Sequence, residues 1–131
     1  MAYASTESGA SEIYVQSVQA GQKLRVSPDG GFEPIWIRNG REILYRNGNA
    51  KTDKVMSAAV RSLSPLRIDA PRTLFTFAAG IYDSTTPARS WDATADGSKF
   101  LMSKNAPTTE TPVTSMHVVL NWIEELRQKL K

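Results

Sequence analysis

The sequence predicts an all-β fold of antiparallel hairpins. Two units of the same kind carry this prediction. Residues 34–45 and 91–102 each pass from a tryptophan-containing segment through a polar-Gly turn into a short apolar strand. Asn39-Gly40 and Asp96-Gly97 tolerate the positive φ angles of a tight type I′ turn, and β-type residues flank both. We therefore expect two hairpins of similar design, with further strands between them.

The composition fits one domain of ordinary size. The chain has 131 residues, of which 40% are hydrophobic, so a real core can form. No apolar run approaches the roughly 18 residues of a membrane span, and the first residues lack the basic and hydrophobic segments of a signal peptide. We expect no membrane insertion and, for the chain as given, a cytoplasmic location, although the lack of cysteine leaves the compartment open.

The N-terminal residues 1–11 are small and polar, and we expect a flexible tail there. Ordered structure is expected to begin at Glu12. Residues 13–18 and 23–27 are short β-type runs on either side of Gly21, and residues 27–31 contain a Pro-Asp-Gly turn. This pattern predicts a first hairpin followed by a reversal of the chain.

The middle of the chain predicts four successive strands. They cover residues 35–38, 42–47, 54–61 and 72–77. Residues 78–88 contain Gly80, Asp83 and Pro87 without a clear period, which indicates a connecting loop before the second tryptophan hairpin.

The C-terminal residues change from a strand pattern to a helix pattern. Residues 114–120 alternate in the manner of one more strand. Asn121 then offers an N-cap with Glu124 three residues later, which is the signature of a helix start. The spacing of Ile123, Leu126 and Leu130 predicts an amphipathic helix over residues 122–130.

Four segments resemble the repeats of TolB-type β-propellers. They are residues 26–36, 39–46, 96–102 and 118–126, which read VSPDGGFEPIW, NGREILYR, DGSKFLM and VVLNWIEEL. Together they are similar to the last blades of bacterial propellers that are often fused behind serine/threonine kinase domains. Arg38 and Ala95 replace the proline that usually precedes the Asp-Gly turn, but the turn chemistry is kept.

The resemblance implies a partial β-propeller over residues 12–131, with about two antiparallel four-stranded blades and the C-terminal helix. Closed propellers need about 4–8 blades. An open fragment would leave strand edges and blade faces exposed, so a homo-oligomer formed through those edges or faces is expected. The helix would cap the last sheet or dock on a partner. Its candidate interface residues are Trp122, Ile123, Leu126 and Leu130.

Catalytic motifs are lacking in the sequence. His117 is the only histidine, which excludes a multi-histidine metal site, and no Gly-x-Ser-x-Gly elbow, phosphate-binding loop or kinase motif occurs. Asp92 and Asp96 come nearest to a carboxylate pair, but each has an ordinary strand or turn role, as has Asp29 in its turn. We expect no catalytic residue, metal site or cofactor. The net charge of +3 is spread along the chain, so nucleic-acid binding is not expected.

The predicted ligand site centres on Trp91. Arg89 and Asp92 beside this tryptophan suggest a boundary with solvent, where the ring would stack on a sugar or a peptide. The preferred function is a non-enzymatic binding or scaffold module with a protein or peptide ligand. A carboxylate-dependent hydrolase or other enzyme is the alternative, and a self-associating fragment without a ligand is a third interpretation.

Overall fold

The computed structural model describes residues 1–18, 21–83 and 89–104. Apart from one 3-10 turn at Arg38–Gly40, the regular elements of these residues are strands, which confirms the predicted all-β fold. The strands are β1 (Ala2–Ser5), β2 (Glu12–Gln16), β3 (Lys23–Arg25), β4 (Phe32–Ile37), β5 (Glu42–Gly48), β6 (Thr52–Leu63), β7 (Leu66–Ile68), β8 (Arg72–Ala78), β9 (Trp91–Ala93) and β10 (Phe100–Met102). The predicted strand over residues 114–120 and the predicted helix over residues 122–130 lie outside the described residues.

The strands form three antiparallel sheets. Sheet 1 contains β1, β2 and β3, sheet 2 contains β4 to β8, and sheet 3 contains β9 and β10. The long strand β6 lies beside β5 on one edge. On its other edge, β8 pairs with the first half of β6 and β7 pairs with the second half. Sheet 2 is therefore a meander of four positions, in which β7 and β8 share the fourth.

Sheet 2 is the central layer of a three-layer stack. Along β5, Ile43 and Tyr45 face sheet 1, whereas Leu44 between them faces sheet 3, and all three are fully buried. The core between sheets 1 and 2 consists of Ile13, Val15, Val26, Ile43, Tyr45, Ala58 and Val60. The core between sheets 2 and 3 consists of Ile35, Ile37, Leu44, Val55 and Trp91. Burial on both faces explains why β5 is apolar at successive positions rather than at alternate ones.

The prediction of a flexible tail over residues 1–11 is wrong for residues 2–5. Ala2–Ser5 is a strand that pairs with β2, with Ala2 opposite Val15 and Tyr3 opposite Tyr14. The two tyrosine rings stack with centroids 6.0 Å apart, and the Lys23 ammonium lies 4.7 Å from the centroid of the Tyr14 ring. A cross-strand aromatic pair thus holds a segment whose other residues are small and polar.

The two Gly turns have the predicted positions but longer connections than a two-residue type I′ turn. Four residues separate β4 from β5, and Arg38, Asn39 and Gly40 all have positive φ angles. Six residues separate β9 from β10. The two connections meet, because the Arg38 amide donates a 2.7 Å hydrogen bond to the Ala95 carbonyl. This contact ties the turn of sheet 3 to the turn of sheet 2.

Candidate binding site

Trp91 is not the exposed stacking residue that the sequence predicted. Its exposed fraction is 3%, and it belongs to the core between sheets 2 and 3. The indole Nε1 donates a 3.2 Å hydrogen bond to the backbone carbonyl of Glu33 in β4. The ring stacks on Phe100, with 6.3 Å between the centroids. Both the polar and the apolar parts of this side chain are therefore satisfied inside the protein.

Arg89 and Asp92 lie on the surface, as the sequence predicted for them. Their side chains are 48% and 56% exposed, and 3.5 Å separates Arg89 Nη2 from Asp92 Oδ2. They line a shallow depression of about 390 Å³ together with Leu101, which is 75% exposed. Asp92 and Leu101 are cross-strand partners on the outer face of sheet 3. The surface at this position is therefore an apolar ridge beside an ion pair.

A buried arginine that the sequence interpretation missed connects sheet 2 to the segment before β9. Arg46 is fully buried, and its Nη2 donates a 3.0 Å hydrogen bond to the Asp53 carboxylate. Its Nη1 donates to the Ser90 hydroxyl at 3.1 Å and to the Asp83 carbonyl, and it lies 3.6 Å from Glu33 Oε2. We call this set the Arg46 cluster.

Glu33 brings β4 into the Arg46 cluster. A register shift in β4 leaves this residue with a φ angle of 51°, which is a left-handed conformation that non-glycine residues rarely adopt. Its carboxylate accepts hydrogen bonds from the amide of Ser90 at 3.2 Å and from the hydroxyl of Ser90 at 3.1 Å. The bulge therefore aims a carboxylate from sheet 2 at the residue that precedes β9.

The Arg46 cluster is suited to holding the sheets together rather than to chemistry. The guanidinium also lies over the rings of Phe32 and Phe77, at 5.2 and 5.8 Å from their centroids. A substrate would have to displace these rings and the carboxylates to reach it. The burial of Arg46 could have been predicted from the alternation along β5, because it places Arg46 on the same face as the buried Leu44.

A second polar cluster lies between sheets 1 and 2. The Glu12 carboxylate is buried and accepts hydrogen bonds from the Ser27 hydroxyl and, at 3.0 Å, from the Gly30 amide. Burial, reinforced by the charges of Glu12 and Asp29, raises the pKa of the neighbouring Tyr45 phenol to about 12. Gly31 completes the packing, since a Cβ there would lie 2.6 Å from Ile13 Cγ1.

The candidate carboxylates do not converge on one site. Asp96 lies in the turn of sheet 3. Its carboxylate accepts hydrogen bonds from the Thr94 hydroxyl, which has the largest effect, and from Ser98, and these bonds lower its pKa to about 2. Asp92 pairs with Arg89 on the outer face of the same sheet. Within the described residues, no three His, Cys, Asp or Glu side chains come close enough together to hold a metal ion.

Comparisons with protein-family models, with curated proteins and with solved structures found no match to this chain. In the described part of the chain, no helix is long and apolar enough to cross a bilayer. The remaining sequence-predicted residues lie outside the described residues. They are His117, Trp122, Ile123, Leu126 and Leu130.

Proposed function

We propose that this protein is a non-enzymatic binding or scaffold module, built as a partial TolB-type propeller, that pairs with a second copy of itself. The observation that carries the proposal is the stack of three antiparallel sheets. Its central sheet is a four-position meander, which is the form of a propeller blade, and its neighbours pack face to face on it. The predicted C-terminal helix over residues 122–130 belongs to the same proposal.

The distribution of carboxylates supports a binding role over the alternative of a carboxylate-dependent hydrolase. Asp92 and Asp96 have separate partners on an outer face and in a turn. The carboxylates that do converge, Glu33 and Asp53, are held on the fully buried Arg46. A pair of catalytic carboxylates needs an accessible gap for substrate and water between them.

The outer face of sheet 3 supports self-association. Its exposed Leu101 lies between two depressions, of about 390 and 270 Å³, that share Asp92 and Leu101. Two copies related by a twofold axis would bury one leucine against the other. An isologous interface is self-complementary, so any contact between Arg89 of one copy and Asp92 of the other would be made twice.

A cross-linking experiment tests this pairing. The chain has no cysteine, so a single introduced thiol reports contacts between copies only. With a short bismaleimide, Leu101→Cys is expected to give a covalent dimer at low protein concentration. Leu63→Cys is the matched control, since Leu63 is also an exposed leucine, at 57%, but belongs to sheet 2. Equal dimer yields from the two variants would contradict pairing through the outer face of sheet 3.

A further inference from the structure

The end of β6 extends beyond its neighbour β5. Pairing between the two strands ends with Glu42 opposite Ala59, and the Val60 amide then donates a 2.8 Å hydrogen bond to the Arg41 carbonyl. Residues 61–63 continue the strand and, within the described part of the chain, pair with β7 alone. The edge of these residues on the β5 side is a place where an extended chain can add as a strand.

One side of this strand end is basic. A depression of about 490 Å³ is lined by Asn39, Gly40, Arg41, Val60, Arg61, Ser62 and Leu63. Arg61 pairs with Asp69 at 2.5 Å, whereas Arg41 has no ion pair among the described residues. Arg67, across from Ser62 in β7, is exposed as well and also lacks an ion pair in that part of the chain. The local excess of arginine favours carboxylate groups in a bound partner.

The other side of the same strand end is apolar. A depression of about 340 Å³ is lined by Met1, Val15, Gln16, Ser17, Val18, Trp36, Leu63, Ser64 and Leu66. Val18 and Leu63 are 84% and 57% exposed, which is unusual for large apolar side chains that face one depression. Leu63 lines both depressions, so the apolar and basic surfaces are continuous along the end of β6.

We propose that the end of β6 binds an extended peptide segment in which acidic residues flank bulky apolar ones. The backbone of residues 61–63 supplies the strand edge, and Arg41, which has no ion pair among the described residues, selects acidic side chains. The depression beside Trp36 takes an apolar side chain. The apolar half and the strand edge favour a peptide over a nucleic acid, whose phosphates would engage only the arginines. The site is separate from the outer face of sheet 3 and does not depend on self-association.

Fluorescence anisotropy tests the proposal with a labelled peptide in which glutamates flank two leucines. The native chain is expected to bind this peptide, and to bind it less tightly as salt is added. Arg41→Glu is expected to weaken binding about tenfold, which corresponds to about 1.4 kcal/mol. Arg25→Glu is the matched control, since Arg25 is an exposed arginine of β3 that lines neither depression and should leave the affinity unchanged. Leu63→Ser should weaken binding through the apolar half of the site.

Three results would overturn the proposal. The first is a native chain that fails to bind the glutamate peptide. The second is equal affinity for a peptide in which lysines replace the glutamates. The third is displacement of the glutamate peptide by a single-stranded oligonucleotide that binds more tightly, which would assign the arginines to phosphate. Leu101→Lys separates this test from self-association. The variant is expected to be a monomer and should still bind the peptide, and peptide binding by the native chain is expected whether or not it forms a dimer.

Discussion

Arg46 is a buried residue that links sheet 2 to the segment before β9. It is fully buried, and its guanidinium contacts the Asp53 and Glu33 carboxylates and the Ser90 hydroxyl. Removal of one partner from a buried ion pair leaves the others charged and without compensation, and typically costs about 3–5 kcal/mol. We therefore expect Arg46→Ala to lower the free energy of unfolding by that amount in urea titrations.

Arg89→Ala provides the control for this prediction. Arg89 is also paired with an aspartate, but the pair is half exposed, so its loss should cost less than about 1 kcal/mol. Similar losses from Arg46→Ala and Arg89→Ala would contradict the structural role that we assign to the buried arginine.

Asp96 gives a prediction about pH. Hydrogen bonds from Thr94 and Ser98 lower its pKa from 3.8 to about 2 in the folded protein. A depressed carboxyl pKa adds stability above the unfolded value, and this contribution is lost as the pH falls from about 4 to about 2. In urea titrations, the native chain should therefore exceed Asp96→Asn in stability most clearly above pH 4. A difference between the two proteins that does not shrink on acidification would contradict this account.

At the residue scale, the sequence predicted the exposed residues of the candidate site but not its buried ones. The surface positions of Arg89 and Asp92 follow from their charge, and the structure places them there. The burial of Trp91 does not follow from its neighbours in sequence, because its partners Glu33 and Phe100 come from other strands. Arg46 was missed for the same reason, since its carboxylates come from β4 and β6.

At the scale of elements, β1 is a strand where the sequence predicted a flexible tail. A flexible tail would tolerate any change at Tyr3. In the structure, the Tyr3 ring stacks on Tyr14 and lies 5.9 Å from the Lys23 ammonium. We expect Tyr3→Ala to cost about 1 kcal/mol in thermal or urea unfolding, since an aromatic pair contributes about that much. Tyr3→Phe keeps the ring and should leave the free energy of unfolding nearly unchanged. If Tyr3→Ala also left it unchanged, the result would contradict an ordered β1 and favour the flexible tail.

The strands themselves were largely predictable, because alternation and turn residues are local signals. The predicted runs at residues 35–38, 42–47, 54–61 and 72–77 correspond to β4, β5, β6 and β8. The short strand β7 was missed, since three residues behind a proline give too short a pattern. Its pairing is fixed instead by the length of β6, which exceeds what β8 alone can cover.

At the scale of the whole molecule, the stacking of three sheets could not be predicted from local patterns. Sequence alternation gives the face of each strand, but the partner of that face is a property of the folded chain. The continuous apolar run in β5 was the available signal, since it requires cover on both faces of sheet 2. The outer face of sheet 3, with Leu101 and the Arg89–Asp92 pair, is the exposed surface that we propose pairs with a second copy.

The molar mass of the native chain in solution tests the account most directly. Light scattering coupled to size-exclusion chromatography would measure it across a concentration series, with Leu101→Lys beside the native chain. We predict that the native mass rises above the 14.4 kDa of a single chain toward twice that value, while Leu101→Lys remains a monomer. A native chain that stays at 14.4 kDa at the highest concentration would contradict self-association.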